Sequence, residues 1–320
     1  MADEDPAPNR RRPSLSLPLR IAAGMTLLAV TLWLVGPDRL LSALRRADPM
    51  VFLGALMVSV ASNAASAARW SRIAHALDLK APLAPMMTMY ARGITSNTLL
   101  PGATLSGDML RSYQLSRLGN PLMESTLSVA FDRFSGLWTL CVLSFLAALT
   151  AYAGGFSLAT GASGRHALAS YGVLLGVIVV LPFVPWPIER LAHVGHATVQ
   201  RLVDLWRRLH DPASGLKRRL AGSIGLSLVV QALSAAALAL CARALGIDLP
   251  LTMMLAAAAP IFVMAALPIG VAGFGTRELA AVGVLGLAGV DPELAAGTGF
   301  LYGMLGVAQG VLSAPLFLHR

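Results

Sequence analysis

Apolar stretches of about 18 residues or more recur along the whole chain, the length that lets a helix cross a bilayer. That recurrence decides the fold class before any motif is considered. Candidate spans fall at 20–36, 50–69, 122–150, 167–185, 222–243 and 294–317. Composition agrees: the chain is 56% hydrophobic and 13% charged, with a mean hydropathy of +0.68, where a soluble domain carries about 25% charged residues. The reading is an all-α polytopic membrane protein with six full spans and two broken re-entrant hairpins. No stretch is long enough for a separate soluble domain.

Residues 1–19 are polar and Pro-rich, and read as a disordered cytoplasmic tail. Residues 20–318 form a single transmembrane domain. Ile21–Val35 has the length of a signal-peptide core, but no small-x-small cleavage site precedes Pro37, so a retained first helix is expected. The loop 186–220 carries seven basic residues against three acids, which places it in the cytoplasm. Counting outward from it puts 70–84 and both termini in the cytoplasm, and 154–166 and 243–249 outside. The basic group Arg69, Arg72 and Lys80 fits that count. The segment Asp38–Asp48, with Arg39, Arg45 and Arg46, violates it, and its RLLSALRR pattern reads as an amphipathic helix lying in the interface.

If residues 69–84 and 117–121 share one side, the segment between them must enter and return. Irregular backbone is tolerated at membrane depth only inside protein or along a wet cavity. Pro101 and Gly102 are suited to reverse the chain, because one lacks an amide proton and the other accepts unusual backbone angles. Pro268 marks the corresponding break in the second half.

The two breaks belong to an internal repeat. ALDLKAPLAPMM (76–87) echoes ALGIDLPLTMM (244–254), with Pro82 and Pro250 offset by 168. Pro101 and Pro268 are offset by 167, Arg111 and Arg277 by 166, and Pro121 and Pro292 by 171. The units, about 50–150 and 222–317, each read as helix, broken hairpin, helix. The charge count orients them oppositely, so the repeats are expected to be inverted, an architecture of many transporters.

Polar groups at membrane depth are costly and are functional candidates by default. They gather at the breaks. The first holds Arg92, Asn97, Gly107, Asp108 and Arg111, followed by Asp132 and Arg133 in FDRFSG; the second holds Gly273, Gly275, Arg277 and Glu278 in PIGVAGFGTRE. Asp108 and Arg111 are three apart and can pair on one helix face. Arg277 and Glu278 are adjacent and cannot share a face, so each needs another partner or a ligand. Gly273 and Gly275 expose backbone amides at a half-helix start, where anions bind. Arginine adds a two-pronged fork suited to phosphate. The competing reading is that these charges only pair with one another and pin the hairpins.

The remaining features exclude other classes. The net charge of +9 in so apolar a chain marks cytoplasmic loops and anionic lipid contacts rather than nucleic acid. Cys141 and Cys241 lie in predicted helices without metal spacing, and His193 and His196 lack companions for a metal site. No metal, cofactor or catalytic set is expected. Gly299, Gly303, Gly306 and Gly310 mark close helix packing. Oligomeric state is left open.

The breaks resemble the motifs of the lysylphosphatidylglycerol synthase transmembrane, flippase-like domain family. YARGITSNTLLPGATLSGDMLR follows its R-x-G, Asn, L-P, G-G-D-x-x-R pattern at Arg92, Gly93, Asn97, Pro101, Gly107, Asp108 and Arg111. PIGVAGFGTRE follows a P-x-x-x-G-G-x-G-x-R-E pattern at Pro268, Gly273, Gly275, Arg277 and Glu278. Ser106 and Ala272 stand where the family has glycine. The resemblance implies a lipid-handling domain, and a stand-alone member without the soluble aminoacyl-transferase, whose activity is not expected here.

The expectation is a translocase of a bacterial cytoplasmic membrane. An anionic phospholipid or lipid-linked phosphate would be held by Arg111 and Arg277, with Asp108 and Glu278 orienting them or carrying a coupling proton. An alternative is a non-transporting accessory subunit of a lipid-pathway enzyme. A third, weaker reading is an integral membrane transferase acting through Asp108 or Glu278.

Overall fold

The computed structural model of the chain describes residues 37–99, 104–153, 215–267 and 273–318, with isolated positions between them. The tail 1–19, the candidate spans 20–36 and 167–185, most of the basic loop, and the breakers Pro101, Gly102 and Pro268 lie outside the described residues. The described residues form helices only: α1 (Pro37–Arg45), α2 (Pro49–Ala76), α3 (Leu83–Leu99), α4 (Thr104–Ser116), α5 (Leu122–Ala153), α6 (Leu216–Ala244), α7 (Leu251–Ala266), α8 (Thr276–Gly286) and α9 (Pro292–Ser313), then a short 3-10 turn (Ala314–Phe317). Stretches within α2, α5 and α6, and the stretch 292–317 that begins with α9, are long and apolar enough to cross a membrane. They correspond to four of the six expected spans. The chain is a multi-pass membrane protein.

The element order long, short, short, long occurs twice, in α2–α5 and α6–α9. Much of the sequence echo is the punctuation that produces it. Asp48 starts α2 by accepting from the amides of Met50 (2.8 Å) and Val51 (3.2 Å), ahead of Pro49 in the first turn. After α2 the chain turns through Asp78 with φ +62°, and after α6 through Gly246 with φ +81°. These two residues are 168 apart and do the same job; a left-handed residue is a common way to end a helix.

The two units meet along α2 and α6, which run antiparallel. The amide of Asp48 donates to the Ala244 carbonyl (2.8 Å), the Ser62 hydroxyl to the Val230 carbonyl (3.1 Å), and Arg72 to the Gly222 carbonyl (3.1 Å). As the number rises along one helix it falls along the other. Small residues, Ala55, Ala237 and Cys241, let these helices approach. The units also cross over: Thr95 of α3 bonds the Gly310 carbonyl of α9 (3.0 Å), and Ser144 of α5 bonds the Leu255 carbonyl of α7 (2.7 Å). Each unit's first short helix therefore leans on the other unit's last long one. The expected amphipathic segment after Asp38 is helical as α1, and its Leu40 is buried against Ala296 of α9.

At the turn after α2, Asp78 accepts hydrogen bonds from Arg219 (2.6 Å) and Arg208 (3.0 Å). The bond from Arg219, assisted by Arg208 and opposed by partial burial, holds the Asp78 carboxyl below the usual carboxylate range. A depressed folded pKa stabilises the fold above the unfolded value and loses that contribution as pH falls through the folded one. The pair is exposed, so Asp78→Asn should cost at most about 1 kcal/mol at neutral pH. In thermal unfolding of the detergent-solubilised protein, the difference from wild type should vanish once the pH drops below the carboxylate range.

Candidate functional site

The first hairpin closes by a tight crossing of α3 and α4. The Gly107 amide donates to Asn97 Oδ1 (2.7 Å), and the Ser106 hydroxyl to the Ser96 carbonyl (3.0 Å). A Cβ on Gly107 would overlap the Gly93 carbonyl and the Asn97 side chain. Gly93, Asn97 and Gly107 of the first motif thus serve the approach of two half-helices.

Beside that crossing lies a buried network of charge. Asp132 of α5, 1% exposed, accepts from Arg69 Nε (2.9 Å) and Arg111 Nη2 (2.8 Å). The Arg111 guanidinium lies between the rings of Trp70 (4.2 Å) and Tyr90 (4.5 Å). Asp108 takes both prongs of Arg133, at 2.9 Å from Nε and 2.8 Å from Nη2. The expected Asp108–Arg111 pair exists only as a long 3.5 Å contact. Arg111 is turned inward to Asp132 and the rings, leaving Asp108 to Arg133. Arg69, counted in the sequence as a cytoplasmic marker, is instead buried, with Gly136 leaving room for its guanidinium. This network holds three guanidiniums and two carboxylates, one positive charge in surplus. Arg69 Nη1 and Arg111 Nε have no hydrogen-bond partner among the described residues.

The second hairpin is built differently. Gly273 (φ +77°) and Gly275 (φ +89°) turn the chain into α8, and a Cβ on Gly273 would meet the Ala265 carbonyl at 2.9 Å. Glu278 folds back so that one oxygen accepts from the Gly275 amide (2.5 Å) while the other accepts from Arg277 Nη2 (3.1 Å). The adjacent pair does bond, contrary to the helix-face argument. At a helix start the carboxylate turns back over the free amides, where a long arginine can reach it. The Gly275 amide, expected to meet an anionic ligand, is occupied by the chain's own carboxylate. Arg277 Nε donates to the Gly299 carbonyl (2.8 Å), and a Cβ on Gly303 would overlap its guanidinium.

Both hairpins deliver arginine to one cavity of about 280 Å³. Arg111 and Arg133 line it from the first unit and Arg277 from the second, with Asn97 on the wall. Ser62, Ser234 and Gly303, near the midpoints of α2, α6 and α9, also line it. With 28 residues, α2 is about 42 Å long, so its midpoint falls in the hydrocarbon region of a bilayer. Arg133 is the accessible cation, with 46% of its side chain exposed against 2% for Arg111 and 6% for Arg277. Asp108, Asp132 and Glu278 stand behind the arginines. Arg92 lies apart, donating twice to the Leu316 carbonyl (3.0 and 2.7 Å). Among the described residues no cluster of His, Cys, Asp or Glu could hold a metal.

Several site residues were not anticipated from sequence. Gln309 Nε2 donates to the Ser59 hydroxyl (2.8 Å) and its oxygen accepts from Asn63 (2.5 Å), while Ser62 and Ser234 share a bond (2.9 Å). The signal was present: Ser59, Ser62, Asn63 and Ser66 fall at i, i+3, i+4, i+7, a polar stripe on an apolar span. Trp70 and Tyr90, which enclose Arg111, carry no comparable mark.

The chain matches the family described as lysylphosphatidylglycerol synthase TM region over residues 19–313. It is also similar to a UPF0104 membrane protein of Methanothermobacter thermautotrophicus, 33% identical over 131 residues. That match covers 41% of this chain and 38% of the relative's length.

Removing one partner of a buried ion pair leaves an uncompensated charge and costs about 3–5 kcal/mol. Asp132→Ala, which strands both Arg69 and Arg111, should therefore sharply lower the melting temperature in detergent. Arg133→Gln, at a half-exposed position, should leave it within a few degrees of wild type.

Proposed function

We propose, from the premise that the chain belongs to the lysylphosphatidylglycerol synthase TM region family, that it is a lipid-handling membrane protein whose central cavity receives an anionic lipid head group. The observation that carries this reading is the cavity at mid-depth, lined by Arg111 and Arg277 from two separate hairpins and by Arg133 of α5. Holding cations there is costly unless they are paired, and the first network retains one positive charge beyond its carboxylates. A phosphate is the complement of that surplus, and guanidinium forks fit its oxygens.

Roles follow from exposure. Arg133 makes the first contact, Arg111 and Arg277 supply charge from below, and Asp108 and Glu278 orient the guanidiniums they bond. Asn97, Gly107, Gly273 and Gly275 act by shaping the hairpins. Residues 20–318 work as one transmembrane unit in a bacterial cytoplasmic membrane, with both termini in the cytoplasm.

The reading extends to translocation through an inverted repeat. Its support is the antiparallel α2–α6 contact, in which Ser62 bonds Val230, the residue 168 positions further on and therefore its own counterpart. A two-fold axis through that point would relate the units, and each hairpin would then enter from the opposite face. Rocking one unit against the other would expose the head group to either side in turn. With no nucleotide-binding motif in the sequence, movement would be driven by a gradient, by a partner, or by no energy input at all.

The test is native mass spectrometry of the full chain in mixed micelles of phosphatidylglycerol and phosphatidylcholine. Wild type should retain phosphatidylglycerol selectively, and Arg133→Gln should weaken that selectivity about tenfold, equivalent to about 1.4 kcal/mol. Equal retention of both lipids by both proteins would overturn the head-group reading and leave the accessory-subunit alternative.

A further inference from the structure

A second cavity, of about 320 Å³, adjoins the first and shares Asn63, Tyr90, Ile94 and Gln309 with it. Its walls are two matched helix faces. On α2 they are Val60, Asn63, Ala64 and Ala67, and on α3 Met87, Tyr90, Ala91 and Ile94. Both sets follow i, i+3, i+4, i+7, the spacing of a single helical face. The alanines leave space where larger side chains would fill the groove between the helices. Leu312 of α9 completes the groove; it is 68% exposed and Val60 42%, so the groove opens sideways on the surface that faces lipid.

Polarity changes abruptly between the two adjoining cavities, which share those four lining residues. The Asn63–Gln309 hydrogen bond lies on the wall common to both cavities, and Gln309 is held in turn by Ser59. Beyond it lie the arginines; on the near side the lining is mainly aliphatic. A solute that fills both must be charged at one end and hydrocarbon at the other.

We propose that the groove between α2, α3 and α9 takes an acyl chain of the lipid whose head group occupies the arginine-lined cavity, entering sideways from the bilayer past the Asn63–Gln309 bond. This assignment rests on the head-group reading above. It specifies the ligand as a lipid with a hydrocarbon tail, rather than a free phosphate or a soluble phosphorylated metabolite. The arginine-lined cavity adjoining the groove selects a lipid tail over a second helix, because a helix would cover the mouth of the groove and bring nothing to the charged side.

The test uses phosphatidylglycerol carrying a diazirine on one acyl chain, incorporated with the full chain into nanodiscs, photolysed and mapped by peptide mass spectrometry. Wild type should be labelled on the peptides that carry Ala64 and Met87–Ile94. Ala64→Trp should fill the groove and lower that labelling about tenfold, from the usual penalty for overpacking. Ala64→Leu, a smaller intrusion, should lower it less and guards against a folding defect. Arg133→Gln should lower the same labelling through the head group. Labelling elsewhere that ignores both Ala64 variants but still falls in Arg133→Gln would overturn the groove while leaving the head-group site. Labelling indifferent to Arg133→Gln would overturn the head-group reading and this assignment with it.

Discussion

The buried carboxylate of Asp132, bonded to Arg69 on one oxygen and Arg111 on the other, is the interaction on which the arrangement depends. It ties α2, α4 and α5 at one point. A carboxylate at this depth would be expensive alone, and so would either guanidinium. Together they neutralise most of their charge and leave one positive unit over. Trp70 and Tyr90 both lie within cation–π reach of Arg111, so its orientation is set by ring contact as well as by charge. The other unit reaches the same end by other means: Arg277 is held by its neighbour Glu278 and by a carbonyl of α9. Two unlike supports thus carry two arginines, one from each unit, to a common cavity.

The long helices were legible in the sequence because hydrocarbon allows few alternatives: an apolar run such as 222–243 must satisfy its own backbone, and α6 does. The recurring order of long and short helices was legible because turns have demanding chemistry. Pro121 and Pro292 flank the starts of α5 and α9, and Asp78 and Gly246 take the left-handed position after α2 and α6. What sequence spacing could not supply was pairing across helices. Asp108 and Arg111 satisfy the i, i+3 rule, yet each finds a better partner on α5, which no local pattern reveals. The rule also failed at Arg277–Glu278, since a helix terminus lets side chains fold back over the end. Arg69 looked like a charge at a membrane border and is a buried counterion. Residue type alone does not separate the two.

The cavity illustrates the same division. Its charged members announced themselves as exceptions in an apolar chain. Its uncharged members, Ser59, Ser62, Asn63 and Gln309, were hidden by being ordinary singly and meaningful only as a stripe. They bring hydrogen-bonding capacity to the cavity wall without adding net charge.

The glycines of α9 carry a further consequence. Gly299 lies against the backbone of α8, Gly303 makes the space for Arg277, and Gly310 faces Thr98 of α3. One helix face therefore bears on an element of each hairpin, and it bears on them almost bare of side chains. Helices usually lock by ridges seated in grooves, and to slip they must lift those ridges clear. Here the notches are on α9 and the ridges on its partners, as where Arg277 occupies the space at Gly303. In mechanical terms α9 is a shared mount: a side chain added at Gly303 would press on the second hairpin, as one added at Gly310 would press on the first.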